Sequence, residues 1–127
     1  MNDQLTPAES TSLYARLGGR DGIFAIAEDI WSNHVNNPTV KNRYVNSDAT
    51  KVKRLVAEMC CAGFGGPEAY TGRDMLTTHR GMNISEEEFI AVCDDVLKAL
   101  KKHSAGQREC DEVLCILYSL KGEVIRV

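Results

Sequence analysis

The stretch Tyr70-Thr71-Gly72-Arg73-Asp74-Met75-Leu76-Thr77-Thr78-His79, followed by Arg80-Gly81-Met82-Asn83-Ile84, carries the residue best placed to do chemistry. It sets one histidine at the end of a very short helical turn, between glycines and beside apolar residues. Such a side chain can keep one imidazole nitrogen unprotonated, and that nitrogen is a metal ligand. A buried haem iron needs one nitrogen of this kind on one of its sides. A histidine at a helix end is otherwise a surface or capping residue, and His79 taken alone would be read that way. Its surroundings add weight: Phe64-Gly65-Gly66-Pro67 lies just upstream, Leu17-Gly18-Gly19 near the N-terminus, and an amphipathic pattern opens at Ser85.

The elements that must position His79 are helical nearly throughout. Ile23, Ile26, Ala27, Ile30, Trp31, His34 and Val35 recur at three and four residues, which predicts one amphipathic helix. Asn36-Asn37-Pro38 should end it, because the residue before a proline is pushed out of the helical region. A short turn or helix is expected over 39–44. Asp48 is placed to cap a second helix, with Val52, Leu55, Val56, Met59 and Cys60 as its apolar stripe and Gly63 as its stop. Residues 63–74 hold too many glycines for regular structure, and Met75 to His79 has room for about one turn. Ser85 and Glu88 form a capping box for a third helix that buries Phe89, Val92, Cys93, Val96 and Leu100. Ser104 and Gln107 offer a second box for a last helix, marked by Cys110, Val113, Leu114, Leu117 and Leu120 and running to about Val124. A short opening helix is expected from about Ser12 to Leu17. Residues 1–11 are read as an extension, partly loose, and 12–127 as a single all-α domain.

Composition removes several classes of function. The 127-residue chain is 43% apolar and 26% charged, in the range of ordinary globular proteins. Its formal net charge of −3, without a dense basic block, gives nucleic acid no electrostatic footprint. No apolar run approaches the ~20 residues of a membrane span, and the start lacks the basic and apolar regions of a signal peptide. Cytoplasmic location is the default expectation. The five cysteines, Cys60, Cys61, Cys93, Cys110 and Cys115, form no C-x-x-C pair. They read as small core residues rather than a disulfide framework, with a redox role for Cys60-Cys61 as the alternative.

Periodicity cannot say that the helices cross over a cofactor. The motif can: Gly65-Gly66-Pro67 with Tyr70, Gly72, Met75 and His79 at these spacings resembles the truncated haemoglobins, most closely their first group. The resemblance covers nearly everything from Ser12 onward. It implies a two-over-two helical sandwich around a haem, with the helix bearing the iron ligand cut to about a turn. It makes His79 the proximal ligand, with Met75 one turn before it. Ile84 and Phe89 become candidate walls of the haem pocket, core packing being the alternative. Tyr70 could offer a hydroxyl to a propionate, and Arg54, Arg73 or Arg80 a cation. Leu55 stands where the family often has a basic residue, so propionate anchoring must differ. Some relatives bond the haem through a histidine in the last helix. Residues 107–127 contain none, which implies non-covalent haem b. His34 is a core or rim histidine, or else a sixth ligand. His103 is a surface residue that suits the helix dipole.

On the opposite side of the haem, the alignment places Val52 and Val56 facing the gas, Trp31 where many relatives carry tyrosine, and Tyr44 where phenylalanine usually stacks on haem. The Tyr–Gln pair with which many first-group members hold oxygen is missing. A dioxygen ligand gathers negative charge, and a neutral donor to it contributes about 0.5–1.5 kcal/mol. Only the Trp31 indole and the Tyr44 hydroxyl remain as donors. Tyr44 is the preferred one, Trp31 an apolar wall, and simple packing the competing account of both. The resemblance therefore implies reversible binding of oxygen, NO or CO, as carrier, store or sensor. The alternative is a haem enzyme for NO dioxygenation or peroxidase or nitrite chemistry, which would need a separate reductase. A helical interaction module without cofactor is the third reading.

Overall fold

The computed structural model describes residues 11–127, so most of the expected N-terminal extension lies outside the described residues. Within them six α-helices alternate with short turns: α1 (Leu13–Arg16), α2 (Gly19–Val35), α3 (Ala49–Gly63), α4 (Met75–His79), α5 (Glu86–Lys102) and α6 (Gln107–Ser119). Two 3-10 turns, Lys41–Tyr44 and Lys121–Glu123, complete the set. α2 packs against both α3 and α5, and α5 packs against α6, the two-over-two arrangement expected from the resemblance.

The starts of these helices are readable in the sequence. Asp48 accepts from the Lys51 N–H, and the Ser85–Glu88 box is closed in both directions. Each satisfies backbone donors that a helix N-terminus leaves free.

The ends differ from expectation in three places. Gly63 is still helical. The stop is Gly65, left-handed at φ 95°, with the Gly66 N–H returning to the Cys61 carbonyl at 2.8 Å. Ser104 does not open α6 but closes α5. It takes the left-handed conformation at φ 62°, its N–H reaches the Lys101 carbonyl, and the Ala105 N–H reaches that of Leu100. Both are Schellman endings, and a residue used in that way cannot also cap the next helix. Gly106 holds that place, without a side-chain cap. Finally, α6 ends at Ser119 rather than near Val124. The chain turns there because its tail pairs with the segment after His79: the Arg126 N–H bonds the Ile84 carbonyl at 3.0 Å and the Gly81 N–H bonds that of Val127 at 3.1 Å.

Two apolar clusters hold the layers. The larger joins Ile23, Ile26 and Ile30 of α2 to Cys61, Val96, Leu100 and Val113. The smaller comprises Ile84, Phe89, Cys93 and Val124 beneath the C-terminal turn. Four cysteines are buried or half-buried and Cys115 is exposed, all as free thiols. Burial lifts the Cys60 thiol to about 12 and the Cys93 thiol to about 11, away from thiolate chemistry.

The Gly-Gly-Pro segment serves packing. A Cβ on Gly66 would lie 2.4 Å from the Tyr14 ring and 2.9 Å from the Cys61 carbonyl. Tyr14 is itself held by its hydroxyl bond to Glu68. Gly66→Ala should therefore cost about 1–3 kcal/mol of unfolding free energy in urea titration. A loss below about 0.5 kcal/mol would show that the Tyr14 ring gives way freely.

Candidate functional site

His79 closes α4, a helix of one turn. Asp74 caps it, accepting from the Thr77 N–H, and the Thr78 hydroxyl donates back to the Asp74 carbonyl at 2.8 Å. Arg80 leaves helical geometry and Gly81 turns the chain at φ 84°. The His79 Nδ1 lies 2.8 Å from the Met75 carbonyl. A carbonyl only accepts, so Nδ1 carries the proton and Nε2 keeps its lone pair. Nε2 has no hydrogen-bond partner among the described residues. α4 makes its main packing contact with the C-terminal 3-10 turn rather than with another helix.

Across the molecule, α3 shows an uneven face. It buries Ala57 and Cys61, whereas the expected stripe of Val52, Leu55, Val56, Met59 and Cys60 is only half-covered. Met75 and Leu76 of α4 and Val92 of α5 are half-covered too. Large apolar side chains left partly bare on α3, α4 and α5 are a surface that suits an apolar ligand. Among the described residues no three His, Cys, Asp or Glu side chains gather as a metal site. A metal at His79 therefore needs its other ligands from a cofactor, and a flat porphyrin between half-covered helices meets both conditions. The residues fit haem.

Tyr44 ends the first 3-10 turn. Its ring meets Trp31 edge-on, with centroids 5.5 Å apart at 81°, and stacks on His34 at 5.3 Å and 12°. Its hydroxyl has no hydrogen-bond partner among the described residues. Burial, with Asp95 and Glu88 nearby, pushes it up to about 12. His34 is a core residue, 5% exposed, with Nδ1 2.7 Å from the Asp95 carboxylate. Beside Tyr44, Arg43 donates to the Glu88 carboxylate at 2.6 and 2.9 Å and to the Met82 carbonyl at 2.9 Å. The Met82 N–H in turn bonds the His79 carbonyl at 3.0 Å. Through Arg43 and Met82, the Tyr44 turn and the His79 helix share one stretch of main chain.

The other sequence candidates fall as follows. Ile84 and Phe89 are buried in the smaller core with Cys93 and Val124. The Tyr70 hydroxyl donates to the Arg73 carbonyl at 2.6 Å, and Arg54 is engaged by Glu58 and Thr71. His103 caps α5 and bonds Asp29 at 2.6 Å, beside Lys102 on the same carboxylate. Sequence reasoning passed over Asp95 and Arg43. Asp95 was detectable: it sits three residues after Val92 and four before Ala99, on the inward face of α5, where an acid calls for a partner.

Residues 12–125 match the model of the bacterial-like globin family, and the chain belongs to that family, as a truncated haemoglobin most like group 1. It is 25% identical over 117 residues to the group 1 truncated hemoglobin of Mycolicibacterium paratuberculosis, spanning 92% of this chain and 86% of that one. It is also 25% identical over 114 residues to that of Tetrahymena pyriformis, spanning 90% and 94%. The Fe(III) crystal structure of the Tetrahymena pyriformis protein matches with a TM-score of 0.89 at 20% identity, over 92% of this chain and all of that one. The 2/2 hemoglobin of a Synechococcus species, in the cyanomet state with covalently attached heme, matches at 0.84 with 24% identity, over 92% and 100%. Globin membership carries haem-based binding of diatomic gases in general.

The Arg43–Glu88 pair sets a test. The Glu88 carboxyl, paired with Arg43 and bonded to the Ser85 N–H, sits at about 2 instead of 4.5. A carboxylate held low stabilises the fold above its unfolded value, and the contribution fades as pH falls through the folded one. Arg43→Ala should therefore cost about 1–2 kcal/mol above pH ~5, discounted for partial exposure of the pair. The gap from wild type should close as pH approaches about 2. Urea titrations at several pH values check this, and a pH-independent gap would contradict the pairing.

Proposed function

We propose that this chain binds haem b non-covalently through His79 Nε2 and reversibly binds a diatomic gas, oxygen foremost, beside Tyr44. The single observation that carries the proposal is the bond from His79 Nδ1 to the Met75 carbonyl, which leaves Nε2 as a lone-pair donor. Haem, when bound, supplies an iron with one position for imidazole and one for a gas.

The chain's own residues do the rest. Met75 fixes the tautomer of His79 and, through α4, the direction of the ring. Val52, Leu55 and Val56 present an apolar wall that excludes water, and Trp31 limits the space beside it. Tyr44 supplies the hydroxyl that a polar gas can use. With no histidine in residues 107–127 to form a covalent link, retention of the cofactor rests on His79 and on apolar contact.

Trp31, Val52, Val56 and Tyr44 favour binding over peroxide chemistry. Trp31, Val52 and Val56 do not ionise, and Tyr44 is pushed up to about 12. None can exchange a proton readily near neutral pH, as general acid–base catalysis requires.

The reduced protein should give a haem spectrum that shifts with carbon monoxide, and His79→Ala should lose the imidazole-ligated form. An unaltered spectrum in that variant would remove His79 as ligand. Tyr44→Phe should speed oxygen dissociation about tenfold, the loss of one hydrogen bond in a dry pocket, and leave carbon monoxide within about twofold. Trp31→Phe should leave the oxygen rate near wild type. Equal oxygen rates in wild type and Tyr44→Phe would remove the donor assignment.

A further inference from the structure

The last turn of α2 and the middle of α5 enclose a polar cluster that haem binding does not require. Asp95 is 1% exposed and His34 5%. The Asp95 carboxylate receives His34 Nδ1 at 2.7 Å and Asn37 Nδ2 at 3.1 and 3.2 Å, while Asn33 Nδ2 donates to its main-chain carbonyl at 2.9 Å. Burying a carboxylate is costly unless it is paired and hydrogen-bonded. Here one helix end supplies two side chains, His34 and Asn37, to do that, and a third, Asn33, ties the Asp95 main chain. Apolar residues of similar size would join α2 to α5 at lower cost, so the cluster calls for a further role.

The role is read from what the imidazole faces. With Nδ1 tied to Asp95, the His34 ring plane is fixed, and that plane lies against the Tyr44 ring at 12°. Tyr44 needs such a support. Its 3-10 turn has no buried residue, and the next residue, Val45, is 71% exposed. The turn itself therefore does little to set the rotation of the phenol. His34 on one side and the Trp31 contact leave the hydroxyl end as the unengaged part of the ring.

We propose that the buried His34–Asp95 pair is a positioning device for Tyr44: by holding the imidazole plane it holds the phenol ring, and so fixes where the Tyr44 hydroxyl meets the gas. The inference deepens the gas-site reading above and rests on it for its functional consequence. His34 touches neither gas nor cofactor in this account and acts only through Tyr44.

The test is a mutant cycle on the haem-loaded protein. Asp95→Asn keeps the size of the side chain and an acceptor for one donor. The double variant His34→Leu with Asp95→Asn removes the ring without stranding a buried charge. Either should raise the oxygen dissociation rate about five- to tenfold, the partial loss of one hydrogen bond, with carbon monoxide little changed. In a Tyr44→Phe background neither should add anything. A second readout is independent of gas kinetics: in ring-13C-tyrosine spectra of the carbon monoxide form, the Tyr44 signals should move or broaden while those of Tyr14, Tyr70 and Tyr118 stay. Acceleration of equal size with and without the Tyr44 hydroxyl, or Tyr44 signals that stay in place, would overturn the proposal. Disturbed Tyr44 signals together with a Tyr44→Phe variant that leaves oxygen rates untouched would uphold the positioning role and overturn only the donor reading.

Discussion

The hydrogen bond between His79 and the Met75 carbonyl is the constraint on which the site depends. An imidazole donates a lone pair from only one nitrogen, and only when the other holds the proton. Here the partner that settles this is four residues back on the same helix, so the shortest element that can contain both is one turn long. α4 is that length. The helix needs little packing of its own because its ends are tied locally, by Asp74 and Thr78 at one end and by the pairing of Gly81 with the C-terminal tail at the other. Having little helix around it, His79 stays half-buried instead of being enclosed in a helix–helix interface.

The proposed cofactor also accounts for the odd burial along α3. A helix packed for its own stability would bury its bulkiest apolar residues. This one buries Ala57 and Cys61, packs Val56 against the larger core, and leaves Val52, Leu55 and Met59 half-covered. Small residues inward let α2 and α3 approach closely, and large ones outward give a ligand something to touch. The sequence stripe was correctly periodic, yet periodicity cannot distinguish a face covered by protein from one covered by a cofactor. Only the glycine and histidine spacing around residues 65–79 carried that information.

The starts at Asp48 and Ser85 and the end at Asn36-Asn37-Pro38 were legible, and the remaining ends were not, for a physical reason. An N-cap is written in one side chain and one spacing, as with Asp48 or Ser85. An ending of the Schellman type depends on which residue turns left-handed, and several can. Gly63, Gly65 and Gly66 were all eligible, and the choice fell where Gly66 could slip beneath the Tyr14 ring. Ser104 shows the converse: its sequence context matches a capping box, but the backbone uses it to end α5. The Asp95 cluster stayed hidden because its partners, His34 and Asn37, are some sixty residues away, and nothing local in either segment announces the other.

In the proposed gas site, the problem is to hold one ring with little local help. Where the resemblance implies a tyrosine and a glutamine, this chain has Trp31 and two valines, and the proposed donor, Tyr44, stands on a turn. A turn residue is mobile unless anchored from outside the turn. Two anchors are present and they act on different freedoms. Arg43 fixes where the turn sits, by tying it to Glu88 and to the Met82 carbonyl. His34 opposes rotation of the Tyr44 ring, by stacking on it while Asp95 holds the imidazole. Neither anchor replaces the other: a correctly placed turn with a free ring would lose the hydroxyl's aim, and a stacked ring on a loose turn would lose its distance. A proposed donor on a turn is thus held from both sides, by the Arg43–Glu88 ion pair and by the hydrogen-bonded His34–Asp95 pair.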